Sequence, residues 1–135
     1  MLIREYTEAD LGALRQMHAR QGFDYAFPDL ADPIFVSKLV VEDDAGRAVM
    51  ASLARLTCEI YLLADPGAGN PRERYARLLA LHQAGERDLL ARGLDDAHAW
   101  LPPPIATRFG RRLQILGWVR DDAWTPYCRR LKTSG

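Results

Sequence analysis

The chain begins with a switch between two hydrophobic periodicities. "LIREYT" alternates apolar and polar side chains, which predicts a short strand. Leu11, Leu14 and His18 then recur at helical spacing, and Thr7 with Asp10 three residues later predicts the cap that begins this helix. Gly22 predicts its end. The first unit is therefore a strand followed by a helix.

A shaped loop, "QGFDYAFPDL", follows this helix. Asp32 and Pro33 then have the residue types of a helix cap and first helical position, which predicts a short second helix. "KLVVEDDAGRAVMASLARLTCEIYLLA" reads as three strands, the first two joined at residues 44–46 and the last two near residues 56–58. Together these three strands predict an antiparallel meander.

A well-specified helix comes next in the sequence. Asn70 is a favoured capping residue, Pro71 suits the first helical position, and Glu73 can reach back to the free amides of the first turn. Gly93 predicts the end of this helix. "DDAHAWLPPP" then predicts a strand, "IATRFGRRLQILGW" a helix, and "GWVRDDAWTPYCRRL" a hairpin that turns at residues 121–122.

The predicted order is β, α, α, β, β, β, α, β, α, β, β. This order indicates a protein of the α/β class, more narrowly α+β. The 135 residues contain no repeat and no linker-like segment, so we expect a single domain over residues 1–135.

Composition narrows the classes of partner and chemistry. The formal net charge is +0, from 18 basic and 18 acidic residues, so the total charge favours neither a nucleic acid nor a membrane surface. The cysteines Cys58 and Cys128 form no C-x-x-C motif, and the three histidines have no metal-ligand spacing, so we expect no metal site. A charged start and the lack of a long apolar run predict a cytoplasmic protein.

Element order and three segments together resemble the GNAT superfamily of N-acetyltransferases over nearly the whole chain. The resemblance implies a mixed, mainly antiparallel central sheet flanked by helices. "IREYTEADLGALRQM" is similar to the family's first strand and helix. "YLLADP" with "RLLALHQAGERDLLARGL" is similar to its fourth strand and third helix, and "IATRFGRRLQILGWVRDD" to the helix that ends in a glycine and an aromatic residue, here Gly117 and Trp118.

The resemblance implies transfer of an acyl group from acetyl-CoA or another acyl-CoA to the amine of a small molecule or a protein. It also implies that backbone groups of the fourth strand, at Leu62 and Ala64, hold the pantetheine arm of the cofactor. In the family, helix amides bind the pyrophosphate through a motif written Q/R-x-x-G-x-G/A. Here Glu73 and Tyr75 stand where that motif has its small residues.

Two interpretations of "DPGAGNPRERYARLL" therefore stay open, a helix cap and a phosphate cradle. Arg72 and Arg74 can hold phosphates with their guanidinium groups. In a shifted register, Gly67 and Gly69 supply the small residues of the phosphate loop. The cap signals are the more complete of the two sets.

Proton-transfer residues are also suggested by the resemblance. Leu113 stands where the family often has the tyrosine that protonates the departing thiolate, so Tyr127 or Tyr61 would have to substitute for it. Glu59 is the candidate general base, working through water. The alternatives are a core or surface aromatic residue for each tyrosine and a solvated strand position for Glu59.

For the acceptor, the resemblance points to the loop after the first helix. Phe23, Tyr25 and Phe27 would line the acceptor site, and Asp24 or Asp29 would attract a cationic amine. A hydrophobic plug over the end of the sheet is the alternative.

Two hypotheses for function follow. The first is a divergent N-acyltransferase. The second is a GNAT-shaped binding or assembly protein without acyl-CoA turnover, of the kind found in phage-related genes. The arginines Arg108, Arg111 and Arg112 lack interleaved aromatic residues and fit a solvated helix face, so no nucleic-acid partner is expected. No membrane partner is expected either, and a homodimer through edge strands would be ordinary for the family.

Overall fold

The computed structural model describes residues 1–132, which fold as mixed α+β with five strands and three helices. The strands are β1 (Leu2–Glu5), β2 (Phe35–Glu42), β3 (Ala48–Arg55), β4 (Cys58–Glu59) and β5 (Ala97–His98). The helices are α1 (Leu11–Gln21), α2 (Pro71–Ala91) and α3 (Pro103–Ile115). Two compact units contain these elements, Met1–His98 and a second unit that begins at Ala99.

Strands β1, β2 and β3 form an antiparallel sheet with β2 in the centre. Ile3 lies opposite Val41, which lies opposite Met50, so the three strands are in register. The predicted hairpin is confirmed by the antiparallel pairing of β2 with β3. In its turn, the Asp43 carboxylate accepts hydrogen bonds from the backbone N–H groups of Ala45 and Arg47, each at 2.9 Å. The bond from Arg47 is the main reason why the pKa of Asp43 lies below its usual value.

The meander prediction was wrong for its third segment. Strand β4 does not pair with β3, and it pairs in parallel with β5 instead, with Cys58 opposite Ala97 and Glu59 opposite His98. Helix α2 lies between the two strands in the chain and provides the crossover that parallel pairing needs. Both strands have only two residues.

The start of the chain follows its local signals. The Thr7 N–H donates to Asp10 Oδ2 at 2.9 Å across a 3-10 turn that leads into α1, and Gly22 ends the helix with φ 71°. Both predicted caps are confirmed. The buried apolar core of this unit consists of Leu14, Leu30, Ile34 and Val40.

The predicted short helix at Asp32 and Pro33 was wrong. Asp32 Oδ1 accepts a hydrogen bond from the Ile34 N–H at 2.9 Å, and its carbonyl oxygen accepts from the Phe35 N–H at 3.1 Å. These two bonds close a turn that leads straight into β2. An aspartate before a proline starts turns as readily as helices, which is why the pattern was ambiguous.

Both long helices end as predicted. After α2, Gly93 has φ 82° and the Leu94 N–H donates to the Leu89 carbonyl at 3.1 Å. After α3, Gly117 has φ 93° and the Trp118 N–H donates to the Leu113 carbonyl at 2.9 Å.

The predicted C-terminal hairpin was wrong over the residues that the structure describes. Residues 119–132 contain no strand, although Arg120 Nε donates to Asp122 Oδ1 at 2.9 Å near the expected turn. Because Tyr127 and Leu131 are 95% and 90% exposed, the apolar residues here have no buried face to hold a strand register.

Candidate active site

The pairing of β4 with β5 creates a small polar surface in the first unit. Their two-residue ladder is extended by the Ile60 N–H, which donates to the His98 carbonyl at 2.8 Å. Glu59 and His98 are register partners, so their backbones lie side by side, about 5 Å apart. Side chains of such partners project from the same face of the pair.

Four side chains share this face, which we call the β4/β5 polar face. Side chains alternate along a strand, so Thr57 lies on the same face as Glu59, and Asp96 on the same face as His98. Thr57 Oγ1 donates to Asp96 Oδ1 at 2.8 Å. His98 Nε2 lies 3.6 Å from Asp96 Oδ2. The face therefore joins a hydroxyl, two carboxylates and an imidazole.

Arg55 supplies the positive charge beside this face. Its guanidinium contacts Asp95 and lies 3.3 Å from Asp96 Oδ1. Cys58 Sγ donates to the Asp96 carbonyl at 3.4 Å, so both the backbone and the side chain of Asp96 are fixed. The side chains of Asp96 and His98 are 43% and 40% exposed, which leaves both accessible to reactants and makes their ion pairing weak in water.

Carboxylates, imidazoles and hydroxyls are the side-chain groups that general acid–base catalysis uses. Sequence reasoning identified Glu59 and missed its two neighbours, Asp96 and His98. A signal was present in "DDAHAW", where an Asp-x-His spacing on a strand places carboxylate and imidazole on one face. Among residues 1–132, no group of three or more histidine, cysteine or acidic side chains is arranged to hold a metal ion.

The predicted Asn70 cap at the start of α2 is confirmed, but Glu73 reaches the Asn70 side chain rather than a backbone amide. Asn70 Oδ1 accepts from the Glu73 N–H at 2.9 Å, and Asn70 Nδ2 donates back to Glu73 Oε1 at 2.8 Å. The preceding turn is closed by Asp65, whose Oδ1 accepts from the Gly67 N–H at 2.8 Å. Two of the amides that a phosphate cradle would use therefore already bind side-chain oxygens.

The space beside Gly69 is also filled. A Cβ placed there would lie 2.8 Å from Arg77 Nη1 and 2.9 Å from Glu73 Oε2. A carboxylate at a helix N-terminus competes with a phosphate for the same positive end of the dipole. The Arg77 and Glu73 side chains therefore occupy the space that a phosphate beside Gly69 would need.

The side chains of Arg72 and Arg74 fit an anion better than the loop does. Both are exposed, and neither forms an ion pair with any other residue in the range 1–132. Two cations in the first turn oppose the helix dipole, so an anion bound between them would remove an unfavourable interaction. A fit to acyl-CoA phosphates at α2 therefore depends on these two guanidinium groups.

The predicted pantetheine contacts lie between β4 and α2. Leu62 is 44% exposed, Ala64 is exposed as well, and both follow the short ladder rather than belonging to it. Their roles stay predictions of the sequence.

Three of the predicted acceptor residues come together beside α1. Phe23 stacks on Tyr25 with ring centroids 5.8 Å apart. The His18 ring packs edge-on against Tyr25 at 4.9 Å and against Phe27 at 5.7 Å. Arg15 lies over the Phe27 ring at 5.7 Å from its centroid. This aromatic cluster has one exposed edge, at Phe23, and one packed edge, at Phe27.

The aspartates of this loop have different environments. Asp29 Oδ1 accepts from the Ala31 N–H at 3.1 Å, which fixes a turn, and Asp24 is exposed. His18 Nε2 is buried and has no hydrogen-bond partner within residues 1–132. The packing of the cluster against α1 is consistent with a hydrophobic plug, and its exposed aromatic surface is consistent with an acceptor site.

The tyrosines considered as proton donors are both exposed. Tyr61 lies just after β4 and is 78% exposed, and Tyr127 belongs to the second unit. A role for Tyr127 stays a prediction of the sequence.

A shallow groove of about 230 Å³ lies along β1 and β2, and it includes no residue of the β4/β5 polar face.

No helix within residues 1–132 is long and apolar enough to cross a membrane. Compared with known proteins, the chain matches no family model, no curated protein and no solved structure.

Proposed function

We propose that this chain is a divergent GNAT-like N-acyltransferase that moves an acetyl or other acyl group from acyl-CoA to an amine, with proton transfer at the β4/β5 polar face. The observation that supports the proposal most is the parallel register of β4 with β5, which puts Glu59 beside His98 on an accessible surface. Glu59 also lies just before "YLLADP", the segment that resembles the family's fourth strand.

The chain's residues have distinct proposed tasks. Glu59 takes the proton of the amine, directly or through one water molecule. Arg72 and Arg74 hold the cofactor's phosphates with their side chains, because the loop amides beside them are engaged in the cap. The exposed rings of Phe23 and Tyr25 receive the acceptor. Acyl-CoA, when bound, supplies an acyl thioester, whose C–S bond is exchanged for a C–N bond while the leaving sulfur gains a proton.

Binding is tested first, by thermal unfolding with acetyl-CoA or CoA and with ATP as the control for nonspecific phosphate binding. Ligand at about 100 times its dissociation constant stabilises a protein by roughly 2.7 kcal/mol. At this size the melting temperature should rise by several degrees. Arg72→Gln and Arg74→Gln should each reduce the rise, whereas Arg87→Gln, an exposed position in the same helix, should not.

Activity is tested by the release of free CoA thiol with a panel of small amines and peptide amines. Glu59→Gln should lower kcat by about 100-fold or more, the usual contribution of a general base. Glu86→Gln, an exposed glutamate on α2, is the matched control and should leave kcat unchanged. Equal stabilisation by ATP and CoA, or full activity in Glu59→Gln, would contradict the proposal.

A second candidate function is favoured by the cap at the start of α2. A GNAT-shaped protein that binds partners without acyl-CoA turnover has no need of free amides there, and Glu73 would then serve the helix alone. Thermal unfolding with CoA and with ATP, as described above, separates the two candidate functions. Absence of a CoA-specific shift up to millimolar ligand, together with a partner recovered at fixed stoichiometry, would favour the binding protein.

A further inference from the structure

We propose that Glu59 passes the amine proton to His98 and that Asp96 positions the His98 imidazole for this transfer. The inference rests on the proposed acyltransferase function and adds to it a proton route across the β4/β5 polar face.

Backbone pairing carries the first step. Glu59 and His98 are register partners in the parallel ladder, and the hydrogen bond from the Ile60 N–H to the His98 carbonyl fixes that register at 2.8 Å. Register partners on neighbouring strands keep their side chains on one face, about 5 Å apart at the backbone. A carboxylate and an imidazole on neighbouring strand positions of one face can exchange a proton through a bridging water molecule.

The second step concerns the two oxygens of Asp96. Oδ1 accepts from Thr57 Oγ1 at 2.8 Å and lies 3.3 Å from Arg55 Nη2. Oδ2 lies 3.6 Å from His98 Nε2. One oxygen is therefore held by the protein and the other is turned to the histidine. A carboxylate fixed in this way orients the ring and stabilises the imidazolium that forms when a proton arrives.

The third step is chemical. An imidazole titrates nearer to neutral pH than a carboxyl group does, so it is the better matched of the two as a proton acceptor near pH 7. In the transfer, the N–H bond of the amine breaks and its electron pair forms the C–N bond as the thioester C–S bond breaks. The proton goes first to a Glu59 oxygen, which returns to its ionised form when the proton passes to an imidazole nitrogen, and the imidazolium then releases the proton to solvent. No oxidant or further co-reactant is needed.

The imidazole titration of His98, followed by NMR, tests the route without relying on turnover. The charged groups at this face are Arg55, Glu59, Asp95 and Asp96. Glu59→Gln should lower the His98 midpoint, because it removes a negative charge from the strand position beside His98. Asp96→Asn should lower it as well. Asp44→Asn, in the turn between β2 and β3, removes an exposed carboxylate that belongs to neither strand of this face and should leave the midpoint unchanged.

Kinetics supply the second readout. His98→Gln should lower kcat by about 100-fold, with unchanged KM and unchanged stabilisation by CoA. Asp96→Asn should lower kcat less and move the pH–rate profile in the same direction as the NMR midpoint. Because Glu59 is exposed, Glu59→Gln should fold, which keeps the titration informative if a variant at His98 does not.

The outcomes separate this inference from the proposed function. A wild-type protein that transfers acyl groups, with an equally active His98→Gln variant or a His98 midpoint that ignores Glu59→Gln, overturns the route alone. A wild-type protein that transfers acyl groups to no amine overturns the proposed function and the route with it.

Discussion

Asn in place of Asp10 tests how the buried charge of the first unit is balanced. Asp10 is 6% exposed, and its carboxylate accepts two hydrogen bonds from the Arg4 guanidinium, at 2.7 and 2.8 Å. Arg4 also donates to Glu42 at 2.6 Å, so β1, β2 and the turn before α1 meet at one cation. Asp10→Asn keeps the shape of the side chain and removes its charge.

The size of the effect follows from the protonation of Asp10. The Arg4 hydrogen bonds are the main cause that lowers the pKa of Asp10 from 3.8 to about 2. Each tenfold change in the acid dissociation constant of a group corresponds to about 1.4 kcal/mol, so this lowering of the pKa stabilises the folded protein by roughly 2 kcal/mol at neutral pH. We expect Asp10→Asn to lower the free energy of unfolding by about 2 kcal/mol, measured by urea denaturation with a fixed m-value.

A matched exposed pair provides the control. Asp44 forms an ion pair with the amino terminus at 2.8 Å, and its side chain is 97% exposed. Asp44→Asn should therefore change the stability by less than about 1 kcal/mol. Equal effects at the two positions would refute the reasoning that burial gives the Arg4 to Asp10 contact its strength.

The pH dependence has a definite sign. A carboxyl group whose pKa is lower in the folded state stabilises the protein fully above its unfolded value, 3.8 for Asp10, and this contribution is lost as the pH falls toward about 2. The difference in stability between the wild type and Asp10→Asn should thus be constant from pH 7 to near pH 5 and shrink below pH 4. A difference that grows on acidification would contradict the assignment.

Five further substitutions, each measured by thermal or urea unfolding, test three other parts of the fold. Gly69→Ala should cost about 1 to 2 kcal/mol because its φ is 79°, whereas at Gly67 the nearest atom to a Cβ is 3.5 Å away and Gly67→Ala should cost less; equal costs would contradict this. Phe27→Ala should destabilise by about 1 to 2 kcal/mol and the more exposed Phe23→Ala by much less, and the reverse order would contradict the packing described at His18 and Arg15. Asn70→Ala should cost about 1 kcal/mol, and no cost would mean that the cap bond to Glu73 contributes nothing.

The features predicted well from sequence are those that a few neighbouring residues decide. The caps at Thr7 and Asn70 and the helix ends at Gly22 and Gly93 all depend on hydrogen bonds within about six residues. The turn between β2 and β3 is of the same kind, with Asp43 binding two amides of its own loop. Local chemistry of this sort is visible in the sequence.

The features predicted badly depend on partners far away in the chain. Residues 58 and 59 alternate as a strand whichever neighbour they have, so nothing in their pattern distinguished β3 from β5 as the partner. The same limit hid part of the candidate site. Glu59 was identified by its place in a strand, whereas His98 became relevant only when the parallel register placed it beside Glu59.

The competition between cap and cradle at the start of α2 connects the fold to the proposed chemistry. A phosphate bound by the amides of this turn must displace the Glu73 and Asn70 side chains, which gives up a cap that contributes about 1 kcal/mol. A phosphate bound by the side chains of Arg72 and Arg74 leaves this cap intact. Its negative charge also offsets two cations that the helix dipole disfavours. In the proposed function, binding of the acyl-CoA phosphates therefore depends on the guanidinium groups of Arg72 and Arg74 rather than on the glycines of the loop. Binding of this kind is screened by salt, because both arginines are exposed.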